Sequence, residues 1–297
     1  MERQRIGIVH PGEMGASVAA NLQQSGHIVV WASEGRSSAT IARAAAHGLQ
    51  DAGTLVQLCV QCAIIISVCP PHAAEAVAHD VLAAGFRGLY VDANAIAPQR
   101  AVRMSAAMEG AGVSFVDGGI IGGPAWRPGT TLYLAGPRAA DVAACFTDGP
   151  LAVRVLGSEA GAASALKMCY AAYSKGTTAL LAAILATAER LAVREALAAQ
   201  WDQDGPAFTA QAERRVQQAT AKAWRFVGEM EEIAATFRSA GLPGEFHQAA
   251  AEIYARLGHF KDAPAPPPLA DVLAALVQHG DTRRDGTAPP ALEGRSS

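Results

Sequence analysis

Between Arg5 and Trp31 the chain reads RIGIVHPGEMGASVAANLQQSGHIVVW, and this order of segments constrains the fold more than any other feature. An apolar run ends at Val9, a turn carries Gly12 and Gly15, a helical pattern begins at Met14, and a second apolar run ends at Trp31. Glycine belongs where backbone must approach a ligand or where a helix packs tightly on a strand. The alternation continues. Strands are expected at Arg5–His10, Ile28–Ala32, Ala63–Cys69, Leu89–Ala93, Ser114–Gly118 and Thr130–Gly136. Helices are expected at Met14–Ser25, Ser37–Ala46, Pro71–Ala84, Pro98–Gly110 and Arg138–Phe146. Strands alternating with helices imply parallel β-α-β units and an open, doubly wound α/β sheet of the Rossmann type.

The pattern changes near Gly157. From Ala160 to Leu257 the periodicity is helical, with one long helix or two joined end to end over Ala160–Leu197, and later helices at Thr209–Ala240, Pro243–Leu257 and Leu269–His279. The expected organisation is therefore a Rossmann domain over residues 1–157, an all-α domain over 158–280 and a disordered polar tail over 281–297.

Composition narrows the function classes. Of the 297 residues 51% are hydrophobic and 17% charged, enough for a sizeable core and too apolar for a disordered chain. A net charge of -3 gives no reason to expect nucleic acid or an anionic membrane surface as partner. The longest apolar helical stretch, Ala179–Ala188, is too short to span a bilayer. No N-terminal signal is evident, and five cysteines without such a signal point to reduced thiols in a cytoplasm. Cys59 and Cys62 form a lone C-x-x-C with no second ligand pair, so they read as small buried residues on a helix and no metal is expected.

The first turn is built for a dinucleotide. Gly12, Glu13, Met14 and Gly15 would set the free N–H groups and positive end of a helix against its phosphates. The usual G-x-G-x-x-G is incomplete, because His10 stands where the first glycine would be. After the second strand, Ser33, Arg36 and Ser37 form a hydroxyl-rich basic loop suited to a 2′-phosphate, which favours NADP over NAD. Glu34 is the dissenting residue, able to read NAD hydroxyls, and Ser37 also suits a plain helix N-cap. Cys69, Pro70 and Pro71, and Asn94 after Asp92, lie at carboxyl ends of strands, where ligands of such sheets bind. Asn94 is expected to bond the nicotinamide ribose or the substrate, with a turn residue as the alternative.

In this order the pieces resemble the β-hydroxyacid dehydrogenase family, which includes 6-phosphogluconate dehydrogenase and, more distantly, the imine reductases. The resemblance covers roughly residues 5 to 260. The G-x-M-G turn and GHIVVW look like the family's start, DGGIIGGPAWRPGTTLYLAGP (Asp117–Pro137) like its substrate loop, and GSEAGAASALKMCYAAYSKG (Gly157–Gly176) like its catalytic-lysine helix. The branch it resembles most has a distinct C-terminal helical domain.

The resemblance makes Lys167 the catalytic candidate. Independently, a lysine projecting from an alanine-rich helix start toward a cofactor cleft would have its pKa lowered by burial, which suits proton transfer. Gly122 and Gly123 take the place of the family's substrate-loop glycines. Tyr170 and Ser174 follow Lys167 by about one and two helical turns and are candidate substrate contacts, as is Glu231 in EMEEIAATF. Three departures stand out. Ile121 replaces the serine before the paired glycines, Tyr170 and Ala171 replace an asparagine pair, and Glu231-Glu232 replace a Lys-Asp pair. Groups that favour a carboxylate are missing or reversed, so a less anionic substrate is expected than a simple 3-hydroxy acid, with Glu231 available to neutralise an amine. Trp126 and Arg127 are candidates to cover the nicotinamide or substrate, and His247 reads as structural.

These readings describe an NADP(H)-dependent oxidoreductase acting on a C=O/C–OH or C=N/C–N bond of a small molecule. The alternatives are an oxidative, even decarboxylating, hydroxyacid dehydrogenase and a non-catalytic NADPH-binding protein. The alanine stripe of the second half and the resemblance both imply a homodimer.

Overall fold

The computed structural model describes residues 3–261 and 263–278. The expected tail over 281–297 lies outside the described residues. Eight strands form one sheet: β1 (Arg5–Val9), β2 (Ile28–Trp31), β3 (Gln50–Asp51), β4 (Ile64–Ser67), β5 (Leu89–Asp92), β6 (Ser114–Ile121), β7 (Thr130–Ala135) and β8 (Leu151–Gly157). Their order is β3-β2-β1-β4-β5-β6-β7-β8, parallel throughout except for the antiparallel β6–β7 pair. The helices between them are α1 (Glu13–Gln24), α2 (Ser38–Ala46), α3 (Leu55–Gln61), α4 (Ala74–Ala83), α5 (Pro98–Gly110) and α6 (Ala139–Ala143).

A parallel sheet covered on both faces needs strands that are apolar on both sides. Ile64–Ser67 is buried throughout. Ile64 and Ile66 enter one core with Ile6, Ile8, Val29 and Val91, while Ile65 enters the other with Val30, Tyr90 and Phe115. Alternate residues thus serve opposite faces, as the pleat dictates. Each fully buried Ile or Val side chain contributes roughly 1.5–3 kcal/mol.

Three elements depart from the sequence reading. β3 is only two residues long. α3 is fixed by a capping box in which Thr54 and Gln57 exchange side-chain and backbone hydrogen bonds. β8 lies at the sheet edge with Val155 and Leu156 exposed, so it lacks the buried apolar run that marks the others. Cys59 and Cys62 are buried on and just after α3, and burial pushes their thiols up to about 11 and 12, as inert core residues require.

The remaining helices are α7 (Ala162–Ala171), α8 (Thr177–Arg190), α9 (Arg194–Asp204), α10 (Phe208–Ala219), α11 (Ala223–Ser239), α12 (Glu245–Arg256) and α13 (Leu269–Gln278). A π-turn, Ala172–Gly176, separates α7 from α8, and Ala192 in a left-handed conformation separates α8 from α9. Where one helix or two joined end to end were expected over Ala160–Leu197, the chain forms α7, α8 and the start of α9.

Two compact units result. One holds the residues up to Tyr173 together with Gly228–His247; the other holds Ser174–Val227 and the chain from Gln248 onward. This division differs from the expected boundary at 157/158, because the lysine helix α7 packs on β6 and stays with the sheet. Within the helical unit, Arg215 on α10 bonds the hydroxyls of Thr177 and Thr178 and the Ser174 carbonyl, and Tyr254 donates to the Lys175 carbonyl at 2.8 Å. These contacts hold the π-turn from one side.

Candidate active site

The sheet reverses its winding between β1 and β4, and crevices at such switch points receive ligands at the carboxyl ends of the strands. The pairing register places Val9, Ser67, Asp92 and Asp117 in one row across that edge. Three strand spacings separate Val9 from Asp117, roughly 14 Å at ~4.8 Å each.

At the β1 end, His10 takes φ 68°, the left-handed conformation that glycine adopts without cost. Its carbonyl accepts from the Gly12 N–H at 2.8 Å. A Cβ on Gly15 would meet that same oxygen at 2.6 Å, so Gly15 is required for α1 to close on the turn. Gly12, by contrast, faces open space and heads α1 with no side-chain cap. Glu13 and Met14 begin α1 as expected. The residues fit a dinucleotide: a bare helix N-terminus over a cradle that a Cβ would narrow, flanked by two buried nitrogens without hydrogen-bond partners, His10 Nδ1 and Arg36 Nε.

The loop after β2 is more committed than its sequence implies. Ser37 caps α2, accepting from Thr40 N–H at 3.3 Å. Ser33 hydrogen-bonds Asp51, and with the Gly53 N–H it holds that carboxyl below the usual range. Burial lowers the Arg36 guanidinium, which the Cys69 thiol and Asp80 partly offset. Arg36 therefore belongs with the β1 and β4 ends. Glu34 is exposed.

At the β4 and β5 ends Asn94 is a buried brace. Its Oδ1 accepts from Cys69 N–H at 2.5 Å, and its amide donates to Ser67 Oγ at 3.2 Å and Asp92 Oδ2 at 2.8 Å. Both amide protons are thus committed within the protein, which favours the bracing role over a ribose contact. Pro70 and Pro71 open the short 3-10 turn Pro71–Ala73 ahead of α4. Burial, with Asp117 nearby, pushes the Asp92 carboxyl up to about 7 against the bonds from Asn94.

The lysine helix is fastened to β6. Asp117 accepts from Ser164 N–H at 3.0 Å and Ser164 Oγ at 2.6 Å, and also bonds the Gly161 and Ala163 backbone, so it caps the start of α7. Gly161 supplies the left-handed N-cap at φ 96°. A Cβ on Gly119 would meet the Ala163 carbonyl at 2.6 Å and Lys167 Cβ at 3.1 Å. Gly119 is thus the bare floor on which α7 lies, while Gly118 faces the end of β5 at Asp92 and Ala93. Gly119 sets half-buried Lys167 just past the carboxyl edge of the sheet.

Residues 5–146 match the model of the NAD binding domain of 6-phosphogluconate dehydrogenase, and residues 188–257 match a domain of unknown function, DUF1932. The N-terminal half of the chain is thus similar to the cofactor domain of 6-phosphogluconate dehydrogenase, and a DUF1932 region follows it.

Solved structures of similar fold match most of the chain. A conserved protein of unknown function, structurally similar to 3-hydroxyacid dehydrogenases, is 29% identical, with 86% of this chain and 97% of that one covered at a TM-score of 0.65. The 3-hydroxyisobutyrate dehydrogenase of Mycobacterium tuberculosis, solved with L-serine, is 20% identical, covering 93% and 100% at 0.70. The reductive aminase of Aspergillus terreus, solved with NADPH and ethyl levulinate, is 19% identical, covering 92% and 99% at 0.54. The latter two likenesses concern the fold alone. No curated protein sequence matches this chain.

The segment between β6 and β7, expected to line the substrate, is a tight hairpin. Gly122 has φ 126° and would collide with Thr130 if it carried a Cβ, while Thr130 Oγ1 donates to the Gly123 carbonyl at 2.7 Å. Ser17 and Asn21 of α1 hold Ala125 through its N–H and carbonyl. Trp126 stacks on His47 at 4.6 Å, so in this conformation it is engaged with the end of α2. Tyr170 is exposed. Ser174 falls in the other compact unit, and α geometry ends at Ala171, so the seven-residue alignment with Lys167 is not maintained. Glu231 is exposed on α11, while its neighbour Glu232 bonds the Ala97 N–H at 2.7 Å and pairs with Arg100, which also reaches Glu75. The acid doing structural work is thus one position from the residue singled out in the sequence. His247 is buried against Phe237 and Phe246, and burial lowers its pKa. Two residues that sequence reasoning passed over are Asp117 as the cap of α7 and Glu232 as the anchor of α11 on α5. The acidic start of DGG was the available signal for the first.

Proposed function

We propose that the protein is an NADP(H)-dependent oxidoreductase of the β-hydroxyacid dehydrogenase type, with Lys167 as general acid or base. The observation that carries this reading is the seat of Lys167. A lysine held by a helix capped at Asp117 and pressed on Gly119 stands on the same sheet edge as the dinucleotide turn. Such fixed placement is what proton transfer to a reacting atom requires.

The nicotinamide, when bound, supplies or accepts the hydride. Gly12, Glu13, Met14 and Gly15 form the phosphate turn, with Cys69, Pro70 and Pro71 bordering the crevice. Arg36, with Ser33 and Ser37, supplies the preference for NADP over NAD. Lys167 donates a proton to the substrate's oxygen or nitrogen in reduction and removes it in oxidation. Gly122, Gly123, Tyr170 and Glu231 form the wider substrate region on this reading.

Ile121 and Ala171 offer no anion-binding group and Tyr170 offers only a neutral phenol, which supports a less anionic substrate, a ketone or an imine, over a 3-hydroxy acid. The same losses disfavour decarboxylation, which needs a firmly held carboxylate. A cytoplasmic homodimer is part of this proposal. Among the described residues, no helix is long and apolar enough to cross a membrane.

A screen of NADPH consumption against ketones, keto acids and cyclic imines tests the substrate class. Turnover of carbonyl compounds or imines, with small hydroxy acids inert under NADP, is the expected result. Efficient oxidation of small 3-hydroxy acids would refute it.

A further inference from the structure

Position 10 is costly to fill as it is filled. Glycine would adopt the left-handed turn freely, whereas any other residue is strained there, although histidine tolerates it better than most. The turn leaves no choice, because the His10 carbonyl is fixed by the Gly12 N–H and packed under Gly15. The side chain adds a second cost. Its Nδ1 is buried without a partner, and the neighbouring Arg36 has a buried Nε likewise unpartnered. Strain and unpaired polar atoms that persist together are typical of ligand clamps.

The surroundings name the ligand's charge. Arg36 is a cation close enough to bear on the imidazole, the uncapped start of α1 is positive, and a Cβ on Gly12 would meet nothing within 4 Å. Asp80 is the acidic group that bears on Arg36, with the Cys69 thiol, and neither bonds it. We infer that His10 and Arg36 form a joint anion seat, in which His10 is a direct ligand of a phosphate of the dinucleotide from the position usually left to glycine. This rests on the cofactor reading above. Burial first, and then Arg36, lowers the imidazole to about 4, so the free protein carries a neutral ring with one N–H to give. Arg36 supplies the charge, and His10 supplies a directed donor that glycine lacks.

The test is His10→Gly, which restores the common motif. NADPH and NADH are titrated into wild type and variant by nicotinamide fluorescence, and the ligand-free melting temperature is recorded. The expected variant has a melting temperature no lower than wild type and a dissociation constant raised about tenfold or more. A loss for both nucleotides assigns the seat to the pyrophosphate; a loss for NADPH alone assigns it to the 2′-phosphate. If His10→Gly proves unstable, His10→Ala, which removes the donor and keeps only a Cβ, should show the same loss. Unchanged or tighter binding in a folded variant overturns the inference while leaving the cofactor reading intact. Failure of the wild type to bind either nucleotide overturns both.

Discussion

Lys167→Ala is expected to lower kcat/KM by about 10²- to 10⁴-fold on whichever carbonyl or imine the protein reduces, while leaving NADPH affinity within about twofold of wild type. The separation follows from position. The glycine turn at Gly12–Gly15 lies at the β1 end, and Lys167 lies against Gly119 of β6, three strands away in the sheet order. Removing a half-buried lysine from the middle of an alanine-rich helix adds the best helix former, so α7 should persist. Single-turnover rates with saturating NADPH, beside fluorescence titration of the cofactor, check both halves. A variant that keeps its rate would mean that the proton comes from another group. A protein with no rate to lose, yet binding NADPH tightly, would be a sensor or scaffold instead.

Gly119→Val should be the most damaging substitution on the floor of the site. A Cβ there lies 2.6 Å from the Ala163 carbonyl and 3.1 Å from Lys167 Cβ. The nearer atom is backbone, so α7 must lift from β6 for the side chain to fit. Lifting it breaks the bonds from Asp117 to Ser164 and strands a buried carboxylate. Overpacking alone costs about 1–3 kcal/mol, and lost hydrogen bonds to a buried charged group add a similar amount. At about 2–4 °C per kcal/mol for a chain of this order, the melting temperature should fall by roughly 5–15 °C. Activity should fall with it even below the melting range, because Lys167 loses its seat. Gly110→Ala, at the end of α5, is the control: a Cβ there meets nothing within 4 Å, so both readouts should stay near wild type. Equal tolerance of the two changes would remove Gly119 from the account.

What the sequence disclosed, and what it hid, divides along physical lines. β1, β2, β4 and β5 are legible because both faces are buried, which forces uninterrupted apolar runs. β8 is hidden because an edge strand need not be a buried apolar run: Arg154, Val155 and Leu156 are all exposed on this one. The capping of α7 by Asp117 joins residues far apart in the chain, and no local pattern announces it. Glu231 and Glu232 differ only in helix phase, so which acid meets Arg100 depends on how α11 lies against α5. The π-turn after Ala171 has no sequence signature of its own, and it undoes any argument that counts helical turns from Lys167 to Ser174. His10 was visible as a departure from a motif. Its left-handed backbone and unpartnered nitrogen became visible only in three dimensions.

The central claim is that the turn between β1 and α1 holds a dinucleotide and that Arg36 tilts it toward NADP. Calorimetric titration of the purified chain with NADPH and with NADH, at one salt concentration, addresses it most directly. The account predicts saturable binding of NADPH at one site per chain and a weaker affinity for NADH, by about tenfold or more if Arg36 pairs with the extra phosphate. Tighter binding of NADH would contradict the NADP assignment, and heat effects indistinguishable from dilution for both nucleotides would contradict the site itself.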